Sequence, residues 1–75
     1  MVATVRDDLR AYKKLAKAFE GHLVQLAKHI DNYSGEKRVT YSAYTDKGQA
    51  WTTVDKDFDD PMSAVNYLIE KEAAG

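Results

Sequence analysis

Asp55, Asp57, Asp59 and Asp60 bring four carboxylates into six residues, a density at which oxygen ligands can hold calcium or magnesium. Read as an EF-hand loop starting at Asp55, the segment fails twice. Asp60 stands where the turn requires glycine, and Asn66 where the loop requires a bidentate glutamate. The plainer reading is a charged stretch running into a helix whose positive end favours carboxylates. His22 and His29 are seven residues apart, which would place them on one helix face. Metal-binding histidine pairs on a helix usually sit four apart, and no carboxylate completes a ligand set beside these two. Ser34, Ser42 and Ser63 show no nucleophile signature, and no glycine-rich phosphate loop is present. Asn32-Tyr33-Ser34 matches the glycosylation acceptor pattern, which is common by chance and needs a secretory route. Neither a metal nor a cofactor is expected, and the chain does not read as an enzyme.

The residues that remain are suited to binding. Arg38–Val54 is dense in β-branched and aromatic residues and is split by Thr45-Asp46-Lys47-Gly48, so it predicts a β-hairpin. A four-residue loop sets Tyr44 opposite Gln49, Ala43 opposite Ala50, Ser42 opposite Trp51, Tyr41 opposite Thr52 and Val39 opposite Val54. One face then holds Val39, Tyr41, Ala43, Ala50, Thr52 and Val54 as core. The other presents Tyr44 and Trp51 among Thr40, Ser42, Gln49 and Thr53, an aromatic pair in a polar rim of the kind that forms binding hot spots. Tyr44, Trp51, Thr53 and Gln49 are the candidate partner-binding residues. A second candidate is basic: Arg6, Arg10, Lys13 and Lys17 recur at helical spacing with Lys14 beside them, a positive strip able to meet nucleic-acid phosphates.

The elements that must position these groups follow from periodicity. Val2, Val5, Leu9, Tyr12, Ala16, Phe19, Leu23, Leu26, Ile30 and Tyr33 are spaced three and four apart, which predicts a long amphipathic helix over about residues 5–31. Thr4 and Asp7 form its start signal, and Lys28 and His29 suit its negative end. Gly21 lies inside the pattern at a cost of about 1 kcal/mol relative to alanine. The hairpin occupies about 38–55. Asp60-Pro61 is a cap followed by proline at the first helical position, so a short C-terminal helix runs over about 61–73, with Met62, Val65, Leu68 and Ile69 as its buried stripe. The expected fold class is α+β, one small domain in α-β-β-α order. That order is similar to double-stranded-RNA-binding domains, but those carry a third strand and a basic second helix. The second helix here, MSAVNYLIEKEAA, holds one lysine against two glutamates.

A 27-residue helix would be about 40 Å long, whereas hairpin strands of six residues reach only about 20 Å. The overhanging apolar stripe predicts a homodimer, with Leu9, Tyr12, Ala16, Phe19, Leu23 and Leu26 in the interface.

The chain has 75 residues and no cysteine, so disulfides and thiolate zinc sites are excluded and stability must come from packing or association. It shows neither a signal-peptide order nor an apolar run long enough for a membrane span, and a cytoplasmic protein is expected. Net charge is −1, split as +3 over residues 1–45 and −4 over 46–75. The overall expectation is a small non-enzymatic protein-protein interaction module, of the inhibitor or adaptor kind that phages and mobile elements direct at host machinery. The competing expectation is a nucleic-acid-binding module that uses the basic face of the first helix.

Overall fold

The computed structural model of the chain describes residues 5–33, 35–53 and 56–74, with the side chains of residues 5, 6 and 33 outside the description. The elements are α1 (Val5–Ala18), β1 (Val24–Tyr33), β2 (Glu36–Thr45), β3 (Gln49–Ala50) and α2 (Pro61–Ala74). The strands form one antiparallel sheet in the order β1-β2-β3. Both helices pack on a single face of it. Ala11, Leu15 and Phe19 from α1 and its exit meet Ala64, Val65 and Leu68 of α2 over Tyr41, Ala43 and Ala50 of the sheet, with Phe58 closing the end of the core. The fold is therefore α+β, but with a third strand and with a first helix half the expected length.

The helix expected to reach residue 31 ends at Ala18. Phe19 still donates its N–H to the Leu15 carbonyl at 3.1 Å, but the next bond, from His22 N–H to the Phe19 carbonyl at 3.0 Å, already belongs to a turn. Gly21 takes φ +86°, a left-handed conformation that costs an L-residue about 1–2 kcal/mol. Residues 24–33 then pair with β2 over ten positions, from Val24 opposite Thr45 to Tyr33 opposite Glu36. The long helix loses because its stripe had nothing in the chain to be buried against. As a strand, the same residues satisfy their backbone in a ladder and turn Val24 and Leu26 toward the core.

The expected hairpin is present and shorter. Ala43 faces Ala50 and Tyr44 faces Gln49, the register of the four-residue loop. Thr45 holds that loop, its N–H reaching the Gly48 carbonyl at 2.8 Å and its Oγ1 accepting the N–H groups of Lys47 and Gly48 at 3.0 Å each. Beyond Ala50 the pairing stops, so the expected Tyr41–Thr52 and Ser42–Trp51 pairs are not formed, and Val54 lies outside the described residues. Tyr41 instead donates its N–H to the Phe58 carbonyl at 2.8 Å. The returning chain is fixed by Phe58 N–H to Thr52 Oγ1 at 3.1 Å and by the Phe58 ring tilted against Tyr67 of α2 at 5.3 Å.

The start of α2 agrees with the sequence reading. Asp60 Oδ2 accepts the Ser63 N–H at 3.1 Å, and Pro61 is the first helical residue.

Two stability measurements follow. Adding a Cβ at Gly21 meets no atom within 4 Å, so Gly21→Ala should destabilise by about 1–2 kcal/mol through backbone strain alone, read from urea denaturation. The second concerns Tyr41, whose hydroxyl is buried and meets no hydrogen-bond partner among the described residues. Burial, reinforced by the Asp8 carboxylate and opposed by Lys28, raises its pKa above the ordinary 10.0. The unfolded chain therefore ionises first. Stability should be full below about pH 10 and fall as pH rises from there toward the folded-state value. Tyr41→Phe should remove that alkaline loss and leave neutral-pH stability equal or higher, as denaturation at the two pH values will show.

Candidate functional site

Alternation along the strands divides the sheet residues between two faces. Against the helices lie Val24 and Leu26 of β1, Tyr41 and Ala43 of β2, and Ala50 of β3. The opposite face bears Gln25, Ala27 and His29 beside Thr40, Ser42 and Tyr44, with Gln49 next to Tyr44, and no helix covers it among the described residues. Thr40 and Ser42 are buried there despite their expected outward position, and Ser42 Oγ lies 3.0 Å from His29 Nε2.

Of the expected partner-binding residues, Tyr44 and Gln49 are cross-strand neighbours on this helix-free face. Trp51, one residue beyond β3, is 53% exposed, while Tyr44 is half-buried. Thr53 is exposed but its Oγ1 accepts the Lys56 N–H at 3.1 Å, so it builds the loop that follows Trp51. Arg38 Nη2 and Asp57 Oδ2, 2.5 Å apart, tie the same loop back to β2. A small cleft of about 80 Å³ opens beside Tyr44, between Leu23, Gln25 and Asp46. The result is one large indole standing in water on a loop braced at both ends.

The basic strip is partly as expected. Arg10, Lys13 and Lys17 are exposed along α1, whereas Lys14 Nζ is engaged by Asn66 Oδ1 of α2 and the Arg6 side chain lies outside the description. The seam expected to make a dimer does not exist as one helix face. Leu23 precedes β1 and Leu26 lies within it, and Phe19 belongs to the protein's own core. Leu9 at 56%, Tyr12 at 41% and Leu23 at 77% remain exposed, with Ala16 and Leu26 half-buried.

The histidines do not share a helix face either, because neither is helical: His22 lies in the α1–β1 connection and His29 in β1. His22 Nδ1 is 3.1 Å from Asp46 Oδ1. The aspartates are dispersed, with Asp57 on Arg38, Asp60 capping α2, and Asp55 outside the described residues. No group of three or more potential metal ligands forms among the described residues.

Sequence reasoning missed a cleft of about 330 Å³ where Glu20, His22, Lys47 and Glu72 surround Phe19 and Ile69. It is assembled from the exit of α1, the β2–β3 turn and the end of α2, so no local motif encodes it. Gly48 is the one residue that could have pointed to it, because the Glu72 carboxylate occupies the space a Cβ there would take. No helix among the described residues is long and apolar enough to cross a membrane. Comparison with protein-family models, with curated proteins and with solved structures finds no match.

Proposed function

We propose that this protein is a non-enzymatic protein-protein interaction module, an inhibitor or adaptor of the kind phages and mobile elements direct at host machinery, acting in the cytoplasm. The observation that carries the reading is Trp51. An indole exposed to 53% on a braced loop, one residue beyond the strand that pairs Gln49 with Tyr44, offers a large apolar area at little entropic cost on binding. The polar groups of the helix-free face, Gln25, Gln49 and the His29–Ser42 pair, suit the rim of such a site. The acidic second half favours a partner with a basic surface.

Trp51 is the chain's one tryptophan, so its fluorescence reports directly on the site. Capture from host lysate with nuclease treatment should yield a protein that the wild type retains and the Trp51→Ala/Tyr44→Ala double variant loses. Adding that purified protein should shift the Trp51 emission to the blue. Retention by the double variant with an unchanged fold would contradict the assignment.

The second reading is nucleic-acid binding through Arg10, Lys13 and Lys17, which stand exposed on one side of α1. The third strand removes one difference from double-stranded-RNA-binding domains. The other difference remains, since α2 is entered through Asp59 and Asp60 and has Lys71 between Glu70 and Glu72. If this reading holds, three phosphate contacts give a log–log salt slope of about −2 to −3, and Lys13→Ala/Lys17→Ala lowers its magnitude by about 1–2. Binding to duplex or single-stranded probes that is indifferent to salt would remove it.

A further inference from the structure

β1 has one neighbour, β2, and leaves its other edge unpaired among the described residues. Which backbone groups face that edge is fixed by β2. The N–H groups of Tyr41 and Thr45 point away from β1, to the carbonyls of Phe58 and Gly48, each at 2.8 Å. The intervening Thr40, Ser42 and Tyr44 therefore face β1, and their partners His29, Ala27 and Gln25 complete the hydrogen-bonded pairs. It follows that Val24, Leu26, Lys28 and Ile30 aim their N–H and C=O groups out of the sheet. An edge of ten residues is commonly blunted by a proline, a bulge, a lysine or an inward-pointing charge. β1 has no proline and its register with β2 is unbroken; the one such guard at its centre is Lys28, whose Nζ is drawn over the Tyr41 ring of its own chain, 5.9 Å from the centroid. Ile30 on this edge strand is 62% exposed.

We propose that this edge pairs with β1 of a second copy of the chain, antiparallel about a two-fold axis at Ala27, joining two three-stranded sheets into one. In that register Leu26 lies opposite Lys28 of the other copy and Val24 opposite Ile30, and these pairs exchange the outward hydrogen bonds. Gln25 lies opposite His29, and Ala27 faces its own copy in a non-hydrogen-bonded pair, where Cα atoms approach to about 4.5 Å and a methyl group fits. An axis at Leu26 would pair only residues 24–28 of β1, against 24–30 here, and charge disfavours the axis on the other side. The charged residues of β1 are Lys28 and Asp31, and here neither faces a like charge. Moving the axis to Lys28 sets two ammonium groups directly opposite. Moving it to His29 sets two imidazoles on the axis and leaves Val24 without a strand partner.

The helix layer supplies a second, separate reason for a copy of the same chain. Lys14 reaches toward Asn66 of α2, so the opposite flank of α1 faces away from α2, on the β1 side of the helix layer. Tyr12, Ala16 and Leu9 fall on that flank within about 60° of one another at 100° per residue. Tyr12 lies about 9 Å back from the helix end and Ala27 about 10 Å along β1, and the short connection between the elements reverses the chain. The two exposed side chains Leu9 and Tyr12 thus come level with the proposed axis and meet their copies above the joined strands. Backbone pairing alone is a small interface, and this flank adds the apolar area that a stable dimer needs.

The chain contains no cysteine, which makes position 27 directly testable. Light scattering on the wild type should give twice the 8.5 kDa chain mass. With glutathione disulfide as oxidant, Ala27→Cys should form a covalent dimer, whereas Gln25→Cys should not, since its two copies stand about 13 Å apart in this register. Lys28→Pro removes an outward N–H together with the side chain beside Tyr41, so it should yield a monomer with unchanged circular dichroism, whereas Lys28→Ala, which keeps the N–H, should stay dimeric. A wild type that stays at the monomer mass up to millimolar concentration overturns the proposal and leaves the edge to a strand from a different protein. Equal cross-linking at positions 25 and 27, or none at 27, overturns the register.

Discussion

The structure depends on β2 being paired along both edges. On one side it carries the ten-position ladder with β1, and on the other it takes β3 at Ala43 and Tyr44 and then the Phe58 carbonyl at Tyr41. Its alternation sends Tyr41 and Ala43 into the helix-covered core while Thr40 and Ser42 line the opposite face. Every other element is placed by that strand. α2 packs over it, α1 packs beside α2, and β1 becomes an edge because the helices and the β3 side leave it only one neighbour. A domain this small has little core to spare, so the order of β2 and the order of the surface features it positions rise and fall together.

What the sequence made legible was local chemistry. Asp60-Pro61 marks the start of α2 because a capping carboxylate and a fixed φ act within one turn. Thr45 and Gly48 mark the β2–β3 loop and, through its length, the Ala43–Ala50 register. What it did not make legible was decided at long range. Residues 23–33 satisfy two periods at once: Leu23, Leu26, Ile30 and Tyr33 read as helix, while Val24, Leu26 and Ile30 read as strand interrupted by Lys28. Only the availability of β2 as a partner separates the two, and that partner lies across a turn at Gly35, itself at φ +81°. Gly21 is the local signal for the break, but a single glycine costs a helix only about 1 kcal/mol, little against a regular ten-residue stripe. The short-range register places Tyr44 opposite Gln49 as read from the loop length, whereas Trp51 lies one residue beyond β3 and without the expected pairing to Ser42.

The same geometry distributes the surface into separate roles. In the helix layer α1 carries five basic residues against two acidic, and α2 one against two. The helix-free sheet face holds Tyr44, Gln49 and the His29–Ser42 pair, and Trp51 directly follows β3. The β1 edge and the Leu9–Tyr12 flank of α1 lie at the far side of the sheet from β3. Pairing of two copies at that edge would therefore leave both Trp51 patches free and facing the same way, giving a two-site ligand for a repeated or bulky partner.

β1 is a strand whose alternate amides point out of the sheet, and hydrogen exchange resolved at single amides tests directly whether they find a partner in a second copy. Gln25, Ala27 and His29 should be protected at every protein concentration, because their N–H groups are held by β2. Leu26, Lys28 and Ile30 should gain protection only as concentration rises. Even protection throughout residues 19–31 in dilute solution would mean a continuous helix, and Leu26, Lys28 and Ile30 amides that exchange freely at all concentrations would mean an edge that does not self-pair. Either result would contradict the account.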